Sequence, residues 1–450
     1  LYYNMRKSIS YDVASLELVK VRQDLVYKKY GDLFDHKSGK SDKPTIALNR
    51  SFLVNTYFPL YSKFFTELGY NVVMPEEPTQ EGIEKRTAAF CYPVELAHGF
   101  FDTLLKMEQR PDYIFLPHFK SVPNLKGYTT SQVCPFVQGE TFYLQSAFKK
   151  EIEKIQQQGT KLFAPLIDLT NGTEEAKKSL IDTASEMGVS STDAEKAFAV
   201  AIKAQTDCFD EMQDIGRKTI SDLEKTPSRI AVTIFSRPYN GFVEEAHMGI
   251  PHKIASRGYL VIPFDFLPME SDTKSENMFW GMGQRILGAS KYVKQHPQLF
   301  GTFITNFSCG PDSLIISFFR DVMERKPSLT LELDSHTADA GLETRIEAFL
   351  DIVASYRQLL QNKAIEENKE PFVQADTILK DKKLMIVSSS GEHIHLTDKR
   401  VTVLIPSMGQ LSSESLAEVM KAQGINAKVQ PAPCEEILKI GRSNSTCKEC

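Results

Sequence analysis

The sequence lacks several features that would each assign it to a broad class of proteins. It has no run of eighteen or more apolar residues, which excludes a membrane-spanning helix. The net charge is −5 and the isoelectric point is near 6.1, so nothing in the charge balance favours binding to nucleic acid or to an anionic membrane surface. The seven cysteines are odd in number and widely spaced until the last four residues, which argues against a secreted, disulfide-rich domain. We therefore expect a cytoplasmic protein with free thiols.

Phosphate-binding motifs are also missing. Neither GxGxxG nor GxxxxGK[ST] occurs, and the segment Ser236–Gly241, which follows a predicted strand directly, matches neither pattern. Because such glycine-rich loops cradle phosphates at helix N-termini, we do not expect this chain to bind or hydrolyse ATP by itself.

What the sequence does contain is an alternation of short apolar runs with helical stretches. A chain of 450 residues is long enough for two or three domains. The alternation predicts an α/β fold with two Rossmann-like or flavodoxin-like lobes, an inserted helical segment and the start of a third α/β lobe. The predicted divisions are an N-terminal helix and linker over 1–43, the first lobe over 44–140, an all-helical insert over 141–227, the second lobe over 228–360, a linker over 361–400, and a further lobe, cut short, over 401–450.

Three of the cysteines share a setting. Cys91, Cys134 and Cys309 each lie in a loop that enters a predicted helix, and each is followed within two residues by proline. Proline suits the first turn of a helix, and the free N–H groups there stabilise a thiolate or an anionic cluster. Since ligands of open α/β sheets gather beyond the carboxyl ends of the strands, these loops could meet in one place. The alternative for each cysteine is a small buried core residue.

Other residues with chemical potential carry weaker signals. His98, one turn beyond Pro93, is either a hydrogen-bond donor or acid near Cys91 or a core histidine, and the segment from Asp334 to Asp339 is either a ligand site or a polar cap network. His247 and His252 are five residues apart, which does not suit a zinc pair on one helix face. Two cysteines are expected to be incidental and two form a CxxC that is a weak signal alone; these are Cys208 and Cys434, and Cys447 and Cys450.

Several phrases of the sequence resemble the acyl-CoA dehydratase activase-related proteins of anaerobes, which are similar to the 2-hydroxyglutaryl-CoA dehydratase system. The resemblance extends over essentially the whole chain. The phrases that carry it are Phe90–Pro93 with Ala97–Gly99, Arg237–Asn240, Asn306–Ser313, Glu332–Gly341 and Val403–Gly409.

The resemblance implies an iron–sulfur protein that accepts a low-potential electron from an ATP-dependent activase domain, for radical dehydration or reduction of a small-molecule substrate that is in some cases CoA-linked. It implies that Cys91, Cys134 and Cys309 hold a [4Fe-4S] cluster; a double-cubane [8Fe-9S] cluster would need more cysteine ligands. Arg237, Tyr239 and His98 are the expected catalytic residues. By the same resemblance, the sequence is a fragment that lacks both an upstream ATPase domain and the C-terminal end.

Alternatives to this interpretation stay open. The chain could be a non-catalytic docking scaffold for an activase, or a two-lobe small-molecule-binding protein with no cluster. The enzyme class is open between a lyase and an ATP-coupled reductase component, and a homodimer is one option for the oligomeric state. The geometry of the cysteines separates a cluster protein from a plain binding protein, because a cluster requires the three sulfurs to face one cleft within roughly 10 Å of each other.

Overall fold

The computed structural model describes residues 11–35, 42–86, 91–269, 278–361, 373–380 and 383–438. The chain divides into two compact units, one ending at Gln358 and the other beginning at Leu359. Residues 1–10 and 36–41 of the N-terminal helix and linker predicted over 1–43 lie outside the described residues, and so does the CxxC of Cys447 and Cys450.

The first lobe is built on a four-stranded, all-parallel sheet with the order β2-β1-β3-β5. The central strand is buried on both faces, as expected for a parallel sheet covered by helices. The strands are β1 (Thr45–Leu48), β2 (Asn71–Val73), β3 (Tyr113–Phe115), β4 (His118–Phe119), β5 (Lys161–Phe163) and β6 (Leu166–Ile167), of which β4 and β6 form a separate short pair.

The second lobe repeats this plan with four longer parallel strands in the order β8-β7-β9-β10. When the strands of each sheet are counted in chain order, both sheets read second, first, third, fourth, which is the flavodoxin-like arrangement. The α/β fold predicted from the sequence is thereby confirmed. The strands are β7 (Ala231–Phe235), β8 (Leu260–Pro263), β9 (Leu299–Asn306) and β10 (Ser328–Leu333).

Helices cover both sheets and connect the lobes. Proline occupies the first turn of several of them, where its missing N–H costs nothing. The helices are α1 (Val13–Leu16), α2 (Leu18–Asp24), α3 (Val54–Glu67), α4 (Gln80–Glu84), α5 (Tyr92–Leu105), α6 (Pro135–Gln138), α7 (Glu140–Ala147), α8 (Lys149–Gln157), α9 (Ala176–Glu186), α10 (Ser191–Glu224), α11 (Pro238–Gly241), α12 (Glu244–His247), α13 (Ile250–Ala255), α14 (Gly281–Gln295), α15 (Gly310–Met323) and α16 (Asp339–Gln361). None of the helices within the described ranges is long and apolar enough to cross a bilayer.

The N-terminal segment differs from the solvated helix and linker predicted over 1–43. Helix α2 continues into a π-turn over Leu25–Lys29, and its apolar residues enter the main core: Val19 and Val26 are almost fully buried. Glu17 forms a β-bridge with Val261 of β8, which fixes this segment to the second lobe. The abundance of charged residues in the sequence hid an apolar stripe at helical spacing.

The segment 141–227 is not all helical as predicted. Gly159, at φ +104°, ends the helical stretch after α8, and the next residues form β5, whose register pairs Lys161 with Tyr113 of β3. Only Phe163 in β5 is buried, so the strand carries a weak apolar signal. Its conformation is set by pairing with the edge of the sheet, which local sequence does not report.

The long helix α10 packs along both lobes. Gln205 donates a hydrogen bond to the carbonyl of Thr56 in the first lobe, and Gln213 donates one to the carbonyl of Asp265 in the second. Gly216 lies directly against the backbone of Phe266, where a Cβ would stand 1.8 Å from the carbonyl oxygen. The helix thus joins the lobes through a close backbone approach that only glycine permits.

A linker was predicted over 361–400, but the described residues of that range contain strands. Residues 376–395 contain a three-stranded antiparallel sheet whose residues are mostly exposed or half-buried, so the apolar signal is diluted by charge. A parallel βαβ unit follows, with Ile405, Ala417 and Ala427 as its core. The elements are β11 (Asp376–Lys380), β12 (Lys383–Val387), β13 (His393–His395), β14 (Val403–Ile405), α17 (Gln410–Ala422) and β15 (Ala427–Val429).

Candidate functional site

The three predicted site cysteines occupy the same structural position. Cys91, Cys134 and Cys309 are each the N-cap residue of a helix, namely α5, α6 and α15, with proline in the first turn. None of the three side chains makes a capping hydrogen bond. Cys134 is buried, whereas Cys91 and Cys309 are partly exposed. All three thiols therefore lie beside the N–H groups at the start of a helix.

Arg237 is the centre of the site. It follows β7 directly, is 3% exposed, and its Nη2 lies 2.7 Å from the sulfur of Cys309. Nη1 donates a hydrogen bond of 2.8 Å to the hydroxyl of Tyr239. The guanidinium also forms a buried ion pair with Asp312, in which Nε lies 3.0 Å from Oδ1 without hydrogen-bond geometry and Nη2 donates to Oδ2 at 3.1 Å.

The strand order explains why these residues meet. Strands β7 and β9 are neighbours at the centre of the second sheet, and the chain leaves them toward opposite sides. Arg237 follows β7, while Cys309 and Asp312 follow β9, so the group lies at the topological switch point of the sheet. Thr305, at the end of β9, donates a 2.5 Å hydrogen bond to Asp312 and fixes the carboxylate.

The first lobe supplies the other two cysteines to the same place. Both Cys91 and Cys134 interact electrostatically with Arg237 and with each other, and Cys309 interacts with Cys134. The structure therefore brings the three predicted cysteines around Arg237 at the junction of the lobes. A narrow crevice there is lined by Leu53, Gln132, Val133, Cys134, Arg237, Tyr239, Trp280, Met282, Pro311 and Ile315.

Two of the three thiols, those of Cys91 and Cys309, are held in their neutral form by their surroundings. Burial raises the pKa of Cys91 to about 11 and that of Cys309 to about 12, and the positive charge of Arg237 opposes the rise at both. Binding of a cation to these sulfurs would release their protons. Arg237 is placed to donate a hydrogen bond to a thiolate at position 309, and such bonds to charged sulfur are stronger than those to a neutral thiol.

Across the described ranges, no three His, Cys, Asp or Glu side chains are arranged to hold a single metal ion. A cubane cluster makes a different demand, because each cysteine binds a different iron and the sulfurs stand farther apart than the ligands of one ion. Three thiols at helix N-termini beside a buried arginine are a donor set that suits an anionic cluster of this kind.

His98, the third predicted catalytic residue, is buried in the first lobe. Its Nδ1 donates a 2.8 Å hydrogen bond to the carbonyl of Val94, and its ring stacks on Tyr143 with centroids 5.2 Å apart. Burial lowers the pKa of His98, which favours the neutral ring. Tyr143 in turn interacts with Cys91 and Cys134, so His98 is separated from the cysteines by one aromatic ring.

Two acidic residues of the site were not identified from the sequence. Asp312 lies in the segment Asn306–Ser313, three residues after Cys309. Its place at the predicted start of a helix, close to a candidate site cysteine, could have identified it. Glu140 carries no such signal: it is 1% exposed, accepts hydrogen bonds from Ser51 and from Asn49, and burial raises its pKa to about 7. A carboxyl group with that pKa, next to Tyr143, can exchange a proton near neutral pH.

The remaining candidates lie outside this site. His247 is buried, its Nδ1 accepts a hydrogen bond from the amide of Gly249, and burial lowers its pKa to about 4. His252 is exposed and lies 3.6 Å from Glu17, so the two histidines do not form a pair. Asp334 accepts hydrogen bonds from the amide of His336 and the hydroxyl of Thr337, which is the polar cap network considered for that segment. Cys208 is fully buried in α10.

The fold and the site together define a two-lobed α/β protein with a three-cysteine site at the lobe junction. Comparison with models of known protein families gives one match for this chain. Residues 45–267, close to half of the chain, match the CoA enzyme activase uncharacterised domain (DUF2229). The match supports an activase-related family, and it includes Cys91, Cys134 and Arg237. No curated protein matches the sequence.

Solved structures give only remote likenesses. A mutant, metal-free periplasmic metal binding protein from Candidatus Liberibacter asiaticus aligns at 13% identity and a TM-score of 0.22, over 70% of this chain and 99% of that one. Glucosamine-6-phosphate deaminase from Thermotoga maritima aligns at 14% identity and a TM-score of 0.19, over 79% of this chain and 97% of that one. Similarities of this size carry no argument about function.

Proposed function

We propose that this chain holds an iron–sulfur cluster on Cys91, Cys134 and Cys309 and accepts a low-potential electron from an ATP-driven activase. The observation that carries the proposal is the convergence of three N-cap cysteines, from two lobes, on the buried guanidinium of Arg237. Packing within either lobe gives no reason for these cysteines to approach one another. A shared cofactor gives such a reason.

A [4Fe-4S] cluster suits the three thiols better than an [8Fe-9S] cluster, which needs more cysteine ligands. When bound, it would supply one-electron chemistry at low potential. The protein's part is to tune and protect that group. Arg237 donates a hydrogen bond to the Cys309 sulfur, and Asp312 holds the guanidinium in place.

The ATP-dependent partner is inferred from the family match and from the lack of a phosphate-binding loop in this sequence. In this scheme the activase supplies the electron, and the chain uses it in dehydration or reduction of a small substrate, of a class that includes CoA-linked molecules. Glu140, whose pKa is about 7 because it is buried, is suited to hold or release the proton that such chemistry requires.

The proposal is tested by anaerobic reconstitution with iron and sulfide. We expect the wild-type chain to bind about four irons and four sulfides, as a [4Fe-4S] cluster requires. Cys91→Ala, Cys134→Ala and Cys309→Ala should each lose most of this content, because each removes one of only three thiolate ligands. The matched control is Cys208→Ala, a buried cysteine of α10 outside the site, which should bind as much iron as the wild type.

Electron paramagnetic resonance of the reduced samples distinguishes a specific cluster from iron held loosely on the surface. Circular dichroism of each variant before reconstitution shows whether it has folded. Full iron and sulfide content in the triple cysteine variant would rule the proposal out, and the interpretation as a plain two-lobe binding protein would replace it.

A further inference from the structure

A cavity of about 400 Å³ lies between the two lobes, next to the cysteine crevice. Strand β8 ends at Pro263, and the two residues that follow it, Phe264 and Asp265, border the cavity. Pro238, shortly after the end of β7, borders it as well. The cavity therefore lies beyond the carboxyl ends of two parallel strands, where open α/β sheets bind their ligands. Its volume falls within the range of small-molecule sites, about 300–1,000 Å³.

Several polar side chains of the cavity wall are turned into the protein. Gln213 donates a hydrogen bond to the carbonyl of Asp265, and Arg285 donates one from Nη2 to another backbone carbonyl. The carboxylate of Asp265 accepts a hydrogen bond of 2.7 Å from Nε of Arg22. Oγ1 of Thr56, Oδ1 of Asp265 and Nε of Arg285 have almost no accessible surface, so they do not face the cavity. These atoms are therefore not placed to recognise a polar ligand.

Most of the described wall is made of aromatic rings and methionines, which come from both lobes and from α10. Burial raises the pKa of Tyr57 to about 12 although the positive charge of Arg285 opposes the rise, so this part of the wall is poorly hydrated. Moving apolar surface of a ligand from water onto such a wall is favourable, and methionine adapts to the shape of the ligand. The aromatic and methionine residues are Tyr57, Phe209, Phe264, Met212, Met269 and Met282.

The cavity adjoins the site of the three cysteines. Met282 borders both the cavity and the cysteine crevice. Pro238 borders the cavity, and its two neighbours in the chain, Arg237 and Tyr239, line the crevice. A molecule whose body fills the cavity therefore has its other end close to the cysteine site.

We infer that this cavity binds an uncharged hydrocarbon group, which forms the body of a small-molecule ligand. An apolar cavity of about 150 Å³ is enough to hold benzene. A cavity of about 400 Å³ has room for a longer hydrocarbon chain. The inference goes beyond the cluster proposal and does not depend on it, because the described wall of the cavity contains no cysteine.

The test uses the linear primary alcohols from butanol to octanol and isothermal titration calorimetry of the full chain, never exposed to iron. Each added methylene should tighten binding about fourfold until the chain fills the cavity, because each removes the same apolar surface from water. The matched ligand for hexanol is the hexanediol with a hydroxyl at each end. The diol should bind about tenfold or more weakly, because it must bury a second hydroxyl against an apolar wall.

Two variants locate the site. Phe209→Ala removes one side of the wall and should weaken the binding of hexanol about threefold or more. Phe318→Ala, which changes an exposed phenylalanine of α15 away from the cavity, should leave it unchanged.

Equal binding of hexanol and the diol to the wild type would overturn the inference, and so would affinities that do not rise with chain length. An equal loss of binding in both variants would place the alcohol elsewhere and would also overturn it. The comparison of ligands on the wild type decides the matter even if Phe209→Ala fails to fold.

Discussion

Arg237 is surrounded by a sulfur, a phenol and a carboxylate, and is almost fully buried. Asp312 provides its negative charge and has no other cationic partner in the described part of the chain. We predict that Asp312→Asn lowers the free energy of unfolding of the first unit by about 3 kcal/mol, because it leaves a buried charge uncompensated. Urea titration followed by the fluorescence of Trp280, the single tryptophan of the chain, measures this unit.

The control for this prediction removes both charges. The double variant Arg237→Met, Asp312→Leu should recover a large part of the loss, since apolar residues of similar volume often replace a buried ion pair at little cost. If Asp312→Asn leaves the urea midpoint unchanged, the ion pair is not the stabilising element described here.

For single residues, the sequence predicted their positions in helices and loops better than it predicted which residues they contact. The pattern of cysteine followed by proline placed Cys91, Cys134 and Cys309 at helix starts, because proline restricts where a helix can begin. It gave no indication that Glu140 would be buried beside Asn49 and Ser51, which are about ninety residues away along the chain. Such contacts are decided by packing between elements and leave no local signal.

Helix α10 makes its close backbone contact with the second lobe at Gly216. We predict that Gly216→Ala destabilises the first unit by about 1–3 kcal/mol, because the added Cβ would stand 1.8 Å from the carbonyl oxygen of Phe266 and must push the backbones apart. This loss would oppose the gain of up to about 1 kcal/mol that alanine normally brings to a helix interior. Thermal unfolding of the full chain measures the difference.

A matched glycine serves as the control. Gly341 lies in α16, has no heavy atom within 4 Å of an added Cβ, and has an ordinary helical backbone. Gly341→Ala should raise the melting temperature slightly, through helix propensity alone. A similar rise for Gly216→Ala would contradict the close approach between α10 and Phe266.

Elements with strong apolar runs were predicted well, and those held mainly by their neighbours were not. Strands β1, β7 and β9 are buried along nearly their whole length, so their sequences stand out. Strand β5 and the antiparallel sheet at 376–395 have few buried side chains, and their pairing partners define them. The left-handed conformations of Met248 and Gly249 separate α12 from α13.

The stability of the whole first unit should respond to pH through two buried groups that act in opposite directions. Burial raises the pKa of Glu140 from 4.5 to about 7. The protonated carboxyl therefore contributes fully to the free energy of unfolding below pH 4.5, and this contribution is lost as the pH rises through 7. Burial lowers the pKa of His247 from 6.5 to about 4, so its contribution is complete above pH 6.5 and is lost as the pH falls toward 4. Each amounts to roughly 3 kcal/mol.

Comparing each variant with the wild type separates the two effects from the other titrating groups. Glu140→Gln should become more stable relative to the wild type as the pH rises from 4.5 to 7.5, and His247→Asn should do so as the pH falls from 6.5 to 4. Urea titrations at closely spaced pH values check both trends. Parallel curves for wild type and variants would show that neither group titrates as its burial requires.

The arrangement of the two lobes was the part of the molecule least accessible to sequence. The alternation of strands and helices predicted two similar lobes, and both sheets indeed have the same strand order. The alternation does not specify which edges of the sheets meet, because the junction is made of isolated contacts between distant segments, such as the β-bridge between the backbones of Gln132 and Trp280. Only three similar cysteines in both lobes gave a reason to expect a common site.

The buried pair of Arg22 and Asp265 has a consequence for how the protein is made. The two residues are 243 positions apart, so Arg22 leaves the ribosome long before its partner has been synthesised. At about 5–20 residues per second, the interval is roughly 10–50 s. During that time the first lobe can fold around β1, while the segment that carries Arg22 waits for β8. The Arg22–Asp265 pair can then form only when the second lobe folds. The nascent chain is therefore most accessible to chaperones and proteases just before the second lobe is complete.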